Sequence, residues 1–196
     1  MLVIDVEASG IDNRVHGILS VGVVDLSEPE RKFYGECRLW PEARVMDEAL
    51  EVNGFTYDDI KDERKQSEKE LLEHFKKWFL NAKIHTLAGQ NAHFDLYFLM
   101  AGCRRNKIDI PFSHRVIDLH SIAYFHMSNS GIEPPIRKGR SDINSDMAMR
   151  YVGIPEEPKP HNALNGAIWE AEALHRLFYD RALFDDFKDH PVPWMK

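Results

Sequence analysis

Residues 2–10 read LVIDVEASG, and this stretch decides the fold class. Its first six residues are rich in valine and isoleucine, and a serine and a glycine follow, which is typical of a short buried strand. Two more strands are predicted over residues 17–26 and 32–40, and a proline follows each of them. Three successive strands with short breaks predict an antiparallel meander at the start of the domain.

Helical patterns begin in the second third of the chain. A capping box at Ser67 precedes an apolar helical face, and a short strand over residues 84–89 leads into a helix over about 93–105. Residues 128–140 read as a loop rich in glycine, proline and serine, and the last long helix is predicted over about 162–179. A meander followed by strands alternating with helices predicts an α/β fold with a mixed sheet flanked by helices.

Length and charge limit the possible functions. The 196 residues suit one domain, predicted over 1–180, with a C-terminal tail over 181–196. A net charge of −7 argues against a broad basic face for nucleic acid, but it leaves room for a metal-loaded cleft. No apolar run reaches the roughly 20 residues that cross a bilayer, and no secretory signal is visible, so we expect a cytoplasmic protein without a membrane partner.

Asp5 and Glu7 occupy alternate positions of the first strand, so their carboxylates share one face. Two anions side by side in a dry site repel each other unless a cation lies between them. Mg²⁺ suits such a site because it binds one or two carboxylates together with waters and phosphate oxygens. The alternative is that both side chains point into water from an edge strand, and the pair alone does not decide between these interpretations.

Two further polar residues lie near the starts of helices. Asp95 falls in the first turn of the helix that opens with NAHFD, at a strand-to-helix junction where crevices form in α/β sheets. A carboxylate there equally suits the helix dipole. His161 precedes the last long helix, and histidine in general suits the role of general base at neutral pH. A lone histidine at a helix start is more often an ordinary surface residue.

Three motifs follow one another along the chain: Asp-x-Glu on the first strand, Asn-x-x-Phe-Asp at the central helix, and His-x-Ala before the last helix. In this order and spacing they resemble the DEDDh 3′→5′ exonucleases. That superfamily includes the proofreading subunit of bacterial replicative DNA polymerase, ribonuclease T and oligoribonuclease. The resemblance covers residues 2 to about 179. It implies a ribonuclease H-like mixed five-stranded sheet whose first three strands are antiparallel.

The resemblance also implies a two-metal site, with Mg²⁺ or Mn²⁺, that releases nucleoside 5′-monophosphates from the 3′ end of single-stranded DNA or RNA. Asp5 would bridge both ions and Glu7 would bind the first. Asp95 would support the second ion, and His161 would deprotonate the attacking water. Several relatives are dimers, so a homodimer is a further expectation. The residues expected to bind the substrate are Ser9, Gly10, Ile11, Asn91 and Phe94, the last equally suited to the core.

One position departs from the family pattern. The motif has an aspartate five residues after the histidine, where this chain has Gly166. The missing carboxylate would have bound the first metal ion with Asp5 and Glu7. Three explanations are open: an inactivating substitution, natural or introduced; replacement by Glu170, one turn further on the same helix face; or a nuclease fold that binds 3′ ends without cutting them. The third makes the chain a binding module rather than an enzyme.

Overall fold

The structure is a computed structural model that describes residues 1–195, and this part of the chain contains seven β-strands. The strands are β1 (Leu2–Ala8), β2 (Ile18–Asp25), β3 (Lys32–Glu36), β4 (Leu87–Gly89), β5 (Ile117–Asp118), β6 (Ile136–Arg137) and β7 (Arg140–Ser141). The first five form one sheet in the order β3-β2-β1-β4-β5, and the last two form a separate hairpin.

The large sheet has the predicted mixed topology. Strand β2 is antiparallel to both β1 and β3, whereas β4 is parallel to β1 and to β5. The ribonuclease H-like arrangement expected from the sequence is therefore confirmed. Strand β3 ends at Glu36, four residues earlier than predicted, because the chain then bonds outside the sheet: the N–H of Arg38 donates to Gln66 and that of Leu39 to Ile60.

Six α-helices cover the two faces of this sheet in the described part of the chain. They are α1 (Asp47–Asn53), α2 (Glu68–Leu80), α3 (Ala92–Asn106), α4 (Leu119–Asn129), α5 (Ser145–Tyr151) and α6 (Ala163–Tyr179). Side chains alternate between the two faces of β1. Ile4 and Val6 pack in the core with α2 and α3, whereas Val3 packs in the core with α4, α5 and α6. Asp5 and Glu7 therefore share the face of the sheet that α6 covers.

Local signals account for several helix boundaries. The capping box at Ser67 is formed, with side-chain and backbone groups of Ser67 and Glu70 bonded in both directions. The side chain of Asn162 caps α6 by accepting hydrogen bonds from the N–H groups of Leu164 and Asn165. Helix α1 was not predicted from the sequence.

The loop predicted over 128–140 is partly wrong, because its last residues pair as the β6–β7 hairpin. Lys138 and Gly139 connect the two strands, and both have left-handed backbone conformations, with φ of 50° and 74°. Two consecutive residues with positive φ match the twist of a tight hairpin. Glycine adopts this conformation readily, whereas a lysine in the sequence does not predict it.

The predicted C-terminal tail, described as far as residue 195, packs onto the rest of the fold. Phe187 and Val192 are buried. The Arg176 guanidinium of α6 donates to the carbonyl of Phe187 (2.8 Å), and Glu172 accepts hydrogen bonds from the N–H groups of Leu183 and Phe184. No helix within residues 1–195 has the length and apolar character needed to cross a membrane.

Candidate active site

The first turn of α6 lies directly over the middle of β1 and β2. Asp5 pairs with Gly22 across the sheet. A Cβ atom on Gly22 would lie only 2.1 Å from the backbone carbonyl of Ala163 at the start of α6. Only a glycine at this point of β2 permits the helix to come so close. The approach brings the beginning of α6 over the carboxylate of Asp5.

Gly166 faces Asp5 in the next turn of α6. A Cβ on Gly166 would lie 2.3 Å from Oδ2 and 2.8 Å from Cγ of Asp5. These distances are far below van der Waals contact between non-bonded atoms. The carboxylate of Asp5 therefore occupies the space that a side chain at position 166 would need. Asp5 can take this position only because residue 166 is a glycine.

Glu170, one turn after Gly166, points inward and is only 6% exposed. Its Oε2 accepts a hydrogen bond from the N–H of Gln90 (3.0 Å) at the end of β4. A Cβ on Gly89 would lie 2.9 Å from the same oxygen, so the glycine that ends β4 leaves room for the carboxylate. Burial raises the pKa of Glu170 well above its usual value, and the negative charge of Asp95 adds to the effect. Glu170 is therefore not a solvated surface residue.

Asp95 bonds to the open edge of β1. Strand β4 pairs with β1 only at Leu2 and Val3, so the N–H of Val6 further along has no strand partner on that side. The Oδ1 of Asp95, in the first turn of α3, accepts a hydrogen bond from this N–H (2.9 Å). Burial raises the pKa of Asp95 well above its usual value, and the charge of Asp5 raises it further.

Asp5 and Glu7 on β1 also lie where a negative charge is unfavourable. Burial raises the pKa of Asp5 well above its usual value, followed by repulsion from Glu170 and Glu7. Burial likewise raises the pKa of Glu7 to about 7, although the nearby His161 opposes this shift. The structure thus gathers the carboxylates of β1, α3 and α6 within reach of one another's charge, and their expected role as metal ligands stays a prediction. Acids that repel each other in a buried place are stabilised by a cation.

His161 lies beside an acid that sequence reasoning missed. Its Nδ1 is 2.9 Å from Oε2 of Glu157, whose side chain is 7% exposed. Burial raises the pKa of Glu157, and the Asn162 N–H and His161 lower it. Glu157 also contributes to the raised pKa values of Asp5 and Glu7, so it belongs to the same acidic cluster. The only available signal was an acid four residues before the histidine, which is too common a pattern to have drawn attention.

Only some of the residues that were expected to bind the substrate line a common cleft. A cleft of about 270 Å³ lies beside β1, and Gly10, Ile11 and Phe94 are among the residues that line it. Phe94 also packs against the core, with its ring centroid 4.8 Å from that of Phe98. Ser9 is fully buried, and its hydroxyl donates to the Arg44 carbonyl while accepting from the Gly17 N–H, so its side chain supports the neighbouring backbone and its expected contact with the substrate stays a prediction.

Asn91 does not line this cleft. It is exposed and takes a left-handed conformation (φ 56°) immediately before α3, and its side chain does not cap the helix. Asparagine tolerates this conformation better than most residues. Asn91 therefore shapes the turn between β4 and α3, and no contact in the structure supports its expected role in binding substrate.

The chemistry of the donors fits a divalent metal ion. Mg²⁺ and Mn²⁺ prefer oxygen ligands, and the cluster offers carboxylates whose mutual repulsion a cation would relieve. Next to Glu170, the side-chain oxygen of Gln90 is buried and has no hydrogen-bond partner in the described structure. Within residues 1–195, however, no three His, Cys, Asp or Glu side chains are already close enough to coordinate one ion.

Comparison with known families decides the identity. The family model described as exonuclease, RNase_T, matches residues 2–172. The chain belongs to the DEDDh 3′→5′ exonuclease superfamily. By family the protein is a hydrolytic nuclease, and the match confirms the resemblance drawn from the three motifs. A comparison with the sequences of curated proteins finds no match.

Solved nuclease structures share the fold of this chain. E. coli exonuclease I, in complex with a dT13 oligonucleotide, aligns with a TM-score of 0.68 and 17% identity over 89% of this chain and 40% of its own. The nuclease domain of 3′hExo, a DEDDh family member bound to rAMP, gives 0.69 and 18% over 91% of both chains. Cell-death related nuclease 4 gives 0.72 and 14% over 92% of this chain and 64% of its own. The present chain thus spans less than half the length of exonuclease I.

Proposed function

We propose that this exonuclease removes nucleoside 5′-monophosphates from the 3′ end of single-stranded DNA or RNA, using two Mg²⁺ or Mn²⁺ ions. The observation that carries the proposal is the cluster of the buried Asp95 and Glu170 with the partly buried Asp5 and Glu7, because the pKa values of all four are raised. An acidic cluster of this kind would be costly without a cation. E. coli exonuclease I has also been solved in a zinc-bound form with single-stranded DNA, which supports a metal-dependent site.

Glu170 takes the place of the missing aspartate in this proposal. It is buried on the inner face of α6, one turn from Gly166. Its carboxylate lies close enough to Asp95 for the negative charge of Asp95 to raise the pKa of Glu170. Because helical side chains lean toward the N-terminus of their helix, the carboxylate at 170 is directed back toward position 166. The inward position favours replacement of the ligand over an inactivating substitution.

Asp5, Glu7 and Glu170 would hold the first ion, and Asp5 and Asp95 the second. Since the side chains are not yet gathered around one point, binding requires them to draw together. Bound ions would supply the positive charge that stabilises the phosphate oxygens during in-line displacement.

The protein's own groups perform the remaining steps. His161 accepts a proton from the attacking water, for which its position beside Glu7 is suitable. The cleft that contains Gly10, Ile11 and Phe94 receives the terminal nucleotide, because it adjoins β1 at Glu7 and offers an aromatic ring beside the backbone. The bound dT13 of exonuclease I and the rAMP of 3′hExo support a single strand and a nucleoside monophosphate as ligands here. A homodimer remains a prediction.

A binding module is the second candidate, since position 166 lacks its carboxylate and the described acids are not preassembled for an ion. Incubation of a 5′-labelled single strand with the exonuclease and Mn²⁺ separates the two. We expect a ladder of products shortened from the 3′ end. Retention of the strand without any shortening would show that the chain binds 3′ ends but does not cut them.

Glu170→Gln is the decisive variant for the assignment of the fourth carboxylate. It keeps the size of the side chain but removes the negative charge, so we expect kcat/KM to fall by at least about 100-fold. Glu73→Gln, an equal change on the exposed face of α2, is the matched control and should retain full activity. Equal activity of both variants would exclude Glu170 as a metal ligand.

A further inference from the structure

Glu157 and His161 form a pair just before α6 that the family motif does not include. Oε2 of Glu157 lies 2.9 Å from Nδ1 of His161, a distance typical of a charge-assisted hydrogen bond. An imidazole bonded through one ring nitrogen has its tautomer and its orientation fixed by that bond. The pair therefore bears on which nitrogen of His161 is free to react.

The backbone of His161 is held independently of its side chain. Its N–H donates to the carbonyl of Val52 at the end of α1 (3.1 Å). The preceding Pro160 packs against Gly54, where a Cβ atom would come within 2.6 Å of the proline ring. These contacts fix the position of the histidine in the fold, so rotation of the ring is the main freedom that remains. Glu157 is the side chain that restricts it.

Glu157 is itself well anchored. Its Oε1 accepts a hydrogen bond from the N–H of Asn162 (3.2 Å), the residue whose side chain caps α6. Because each carboxylate oxygen has a different partner, the group cannot rotate without breaking a bond. The side chain is also almost completely buried. This arrangement connects the orientation of His161 to the first turn of the helix that carries Glu170.

We propose that Glu157 is a positioning residue for His161 in the proposed nuclease reaction. Its carboxylate accepts the Nδ1–H of the neutral imidazole, so that the lone pair lies on Nε2. When Nε2 takes a proton from the attacking water, the charge of Glu157 stabilises the resulting imidazolium, and the hydroxide oxygen forms the new bond to phosphorus. The 3′ oxygen of the preceding nucleotide leaves from that phosphorus. This inference rests on the proposed function, but its first test does not.

The first test is ¹⁵N NMR of the histidine side chains in the metal-free protein at about pH 9, where histidine is generally neutral. His161→Gln identifies the resonances of His161 by their disappearance. We expect His161 to carry its proton on Nδ1 in the wild-type protein and to change to Nε2–H, or to a mixture, in Glu157→Ala. The adjacent Glu156→Ala, which removes an exposed partner of Arg150, is the matched control and should leave the tautomer unchanged. An Nε2–H tautomer in the wild-type protein would overturn the inference.

The second test separates orientation from stability and from metal binding. General bases contribute about 100- to 10,000-fold, so misorientation in Glu157→Ala should lower kcat by about 10- to 100-fold with KM unchanged. Glu157→Gln keeps one acceptor for the Nδ1–H but loses the charge and the acceptor for the Asn162 N–H, so it should recover only a small part of this loss. The Mn²⁺ affinity measured by calorimetry should stay the same in both variants.

Three results would overturn the inference: full kcat in Glu157→Ala, full kcat in the uncharged Glu157→Gln, or a Mn²⁺ affinity that falls in both variants, which would make Glu157 a metal ligand instead. A wild-type protein that shortens no strand would contradict the proposed function, whereas the NMR result would still report on the pair. The two failures are therefore distinguishable.

Discussion

The candidate active site depends on how three residues are placed together: Gly166, Asp5 and Glu170. The carboxylate of Asp5 fills the space beside Gly166, and Glu170 supplies an acid from the next turn of the helix. Helical spacing allowed the sequence to suggest Glu170 as a substitute for the missing aspartate. The position of Asp5 was not predictable, because it depends on how closely α6 approaches the sheet, and that distance is determined by Gly22.

Restoring the family aspartate tests whether the site has been rebuilt around Glu170. In Gly166→Asp the new side chain has to displace Asp5 and adds another anion to a cluster whose pKa values are already raised. We therefore expect the exonuclease activity, measured as kcat/KM on a labelled strand, to fall by about 10-fold. In the double variant Gly166→Asp with Glu170→Gln, activity should exceed that of Glu170→Gln alone.

Gly166→Ala is the control for volume, because it places a Cβ 2.3 Å from Asp5 without adding a charge. A smaller loss in Gly166→Ala than in Gly166→Asp would assign the difference to charge. A rise in activity by orders of magnitude in Gly166→Asp would instead identify Gly166 as an inactivating substitution and remove the proposed role of Glu170.

Whole elements were predicted best where local pattern and tertiary packing agree. Strand β1 and helix α6 follow directly from their apolar periodicity and their flanking polar residues. The β6–β7 hairpin was missed because its short strands are exposed and carry no apolar alternation. Glu157 was missed because an acid four residues before a histidine is a common pattern, and only the folded loop shows its carboxylate 2.9 Å from Nδ1 of His161.

The β6–β7 hairpin presents exposed Arg137, Lys138 and Arg140 near the active site. Its position follows from two contacts: Ser141 bonds to His120 of α4 (2.8 Å), and the carbonyl of Ile143 accepts from the Gln90 side chain (3.0 Å). The main-chain N–H of Gln90 holds Glu170. A strand whose 3′ end reaches the carboxylates therefore has basic side chains available for its upstream phosphates.

Removal of two of these charges should weaken binding of long strands selectively. For Arg137→Ala with Arg140→Ala we expect about 10-fold weaker binding of a strand of about ten nucleotides, and a salt dependence reduced by about 1.4 in log–log slope. Turnover of a dinucleotide should not change. The measurement is fluorescence anisotropy at several salt concentrations, with Lys69→Ala and Lys77→Ala on α2 as the charge-matched control. Equal effects on the dinucleotide and the long strand would contradict this placement.

The molecule as a whole combines a net charge of −7 with an acidic active site. The order of strands and helices predicted a mixed sheet flanked by helices, whereas the ribonuclease H-like topology was implied by the resemblance to the superfamily. The convergence of acids from β1, α3 and α6 was implied only by the resemblance to the superfamily, because no local pattern connects positions 5, 95 and 170.

Without metal ions, the exonuclease should lose stability as pH rises from about 5 to about 8. The pKa of Glu7 is raised from 4.5 to about 7 in the folded chain, and those of Asp5, Asp95 and Glu170 are raised in the same direction. Between the unfolded and the folded pKa the folded state binds more protons, so the free energy of unfolding decreases with pH. We expect a decrease of about 1–3 kcal/mol, measured by urea unfolding in EDTA.

Mn²⁺ should restore this stability at pH 8, because the ions bind the folded carboxylates. Glu7→Gln, which removes one of the four acids, should reduce the dependence on pH. A free energy of unfolding that increases between pH 5 and pH 8 in EDTA would show that folding does not raise the pKa values of these acids.

A crystal structure of the exonuclease with Mn²⁺ and a nucleoside 5′-monophosphate, measured at a wavelength where manganese scatters anomalously, tests the two-metal site most directly. The account predicts two anomalous peaks about 4 Å apart, with Asp5 and Glu170 among the ligands. A cluster without any anomalous peak, or ions bound while Glu170 still bonds only to the Gln90 N–H, would contradict it.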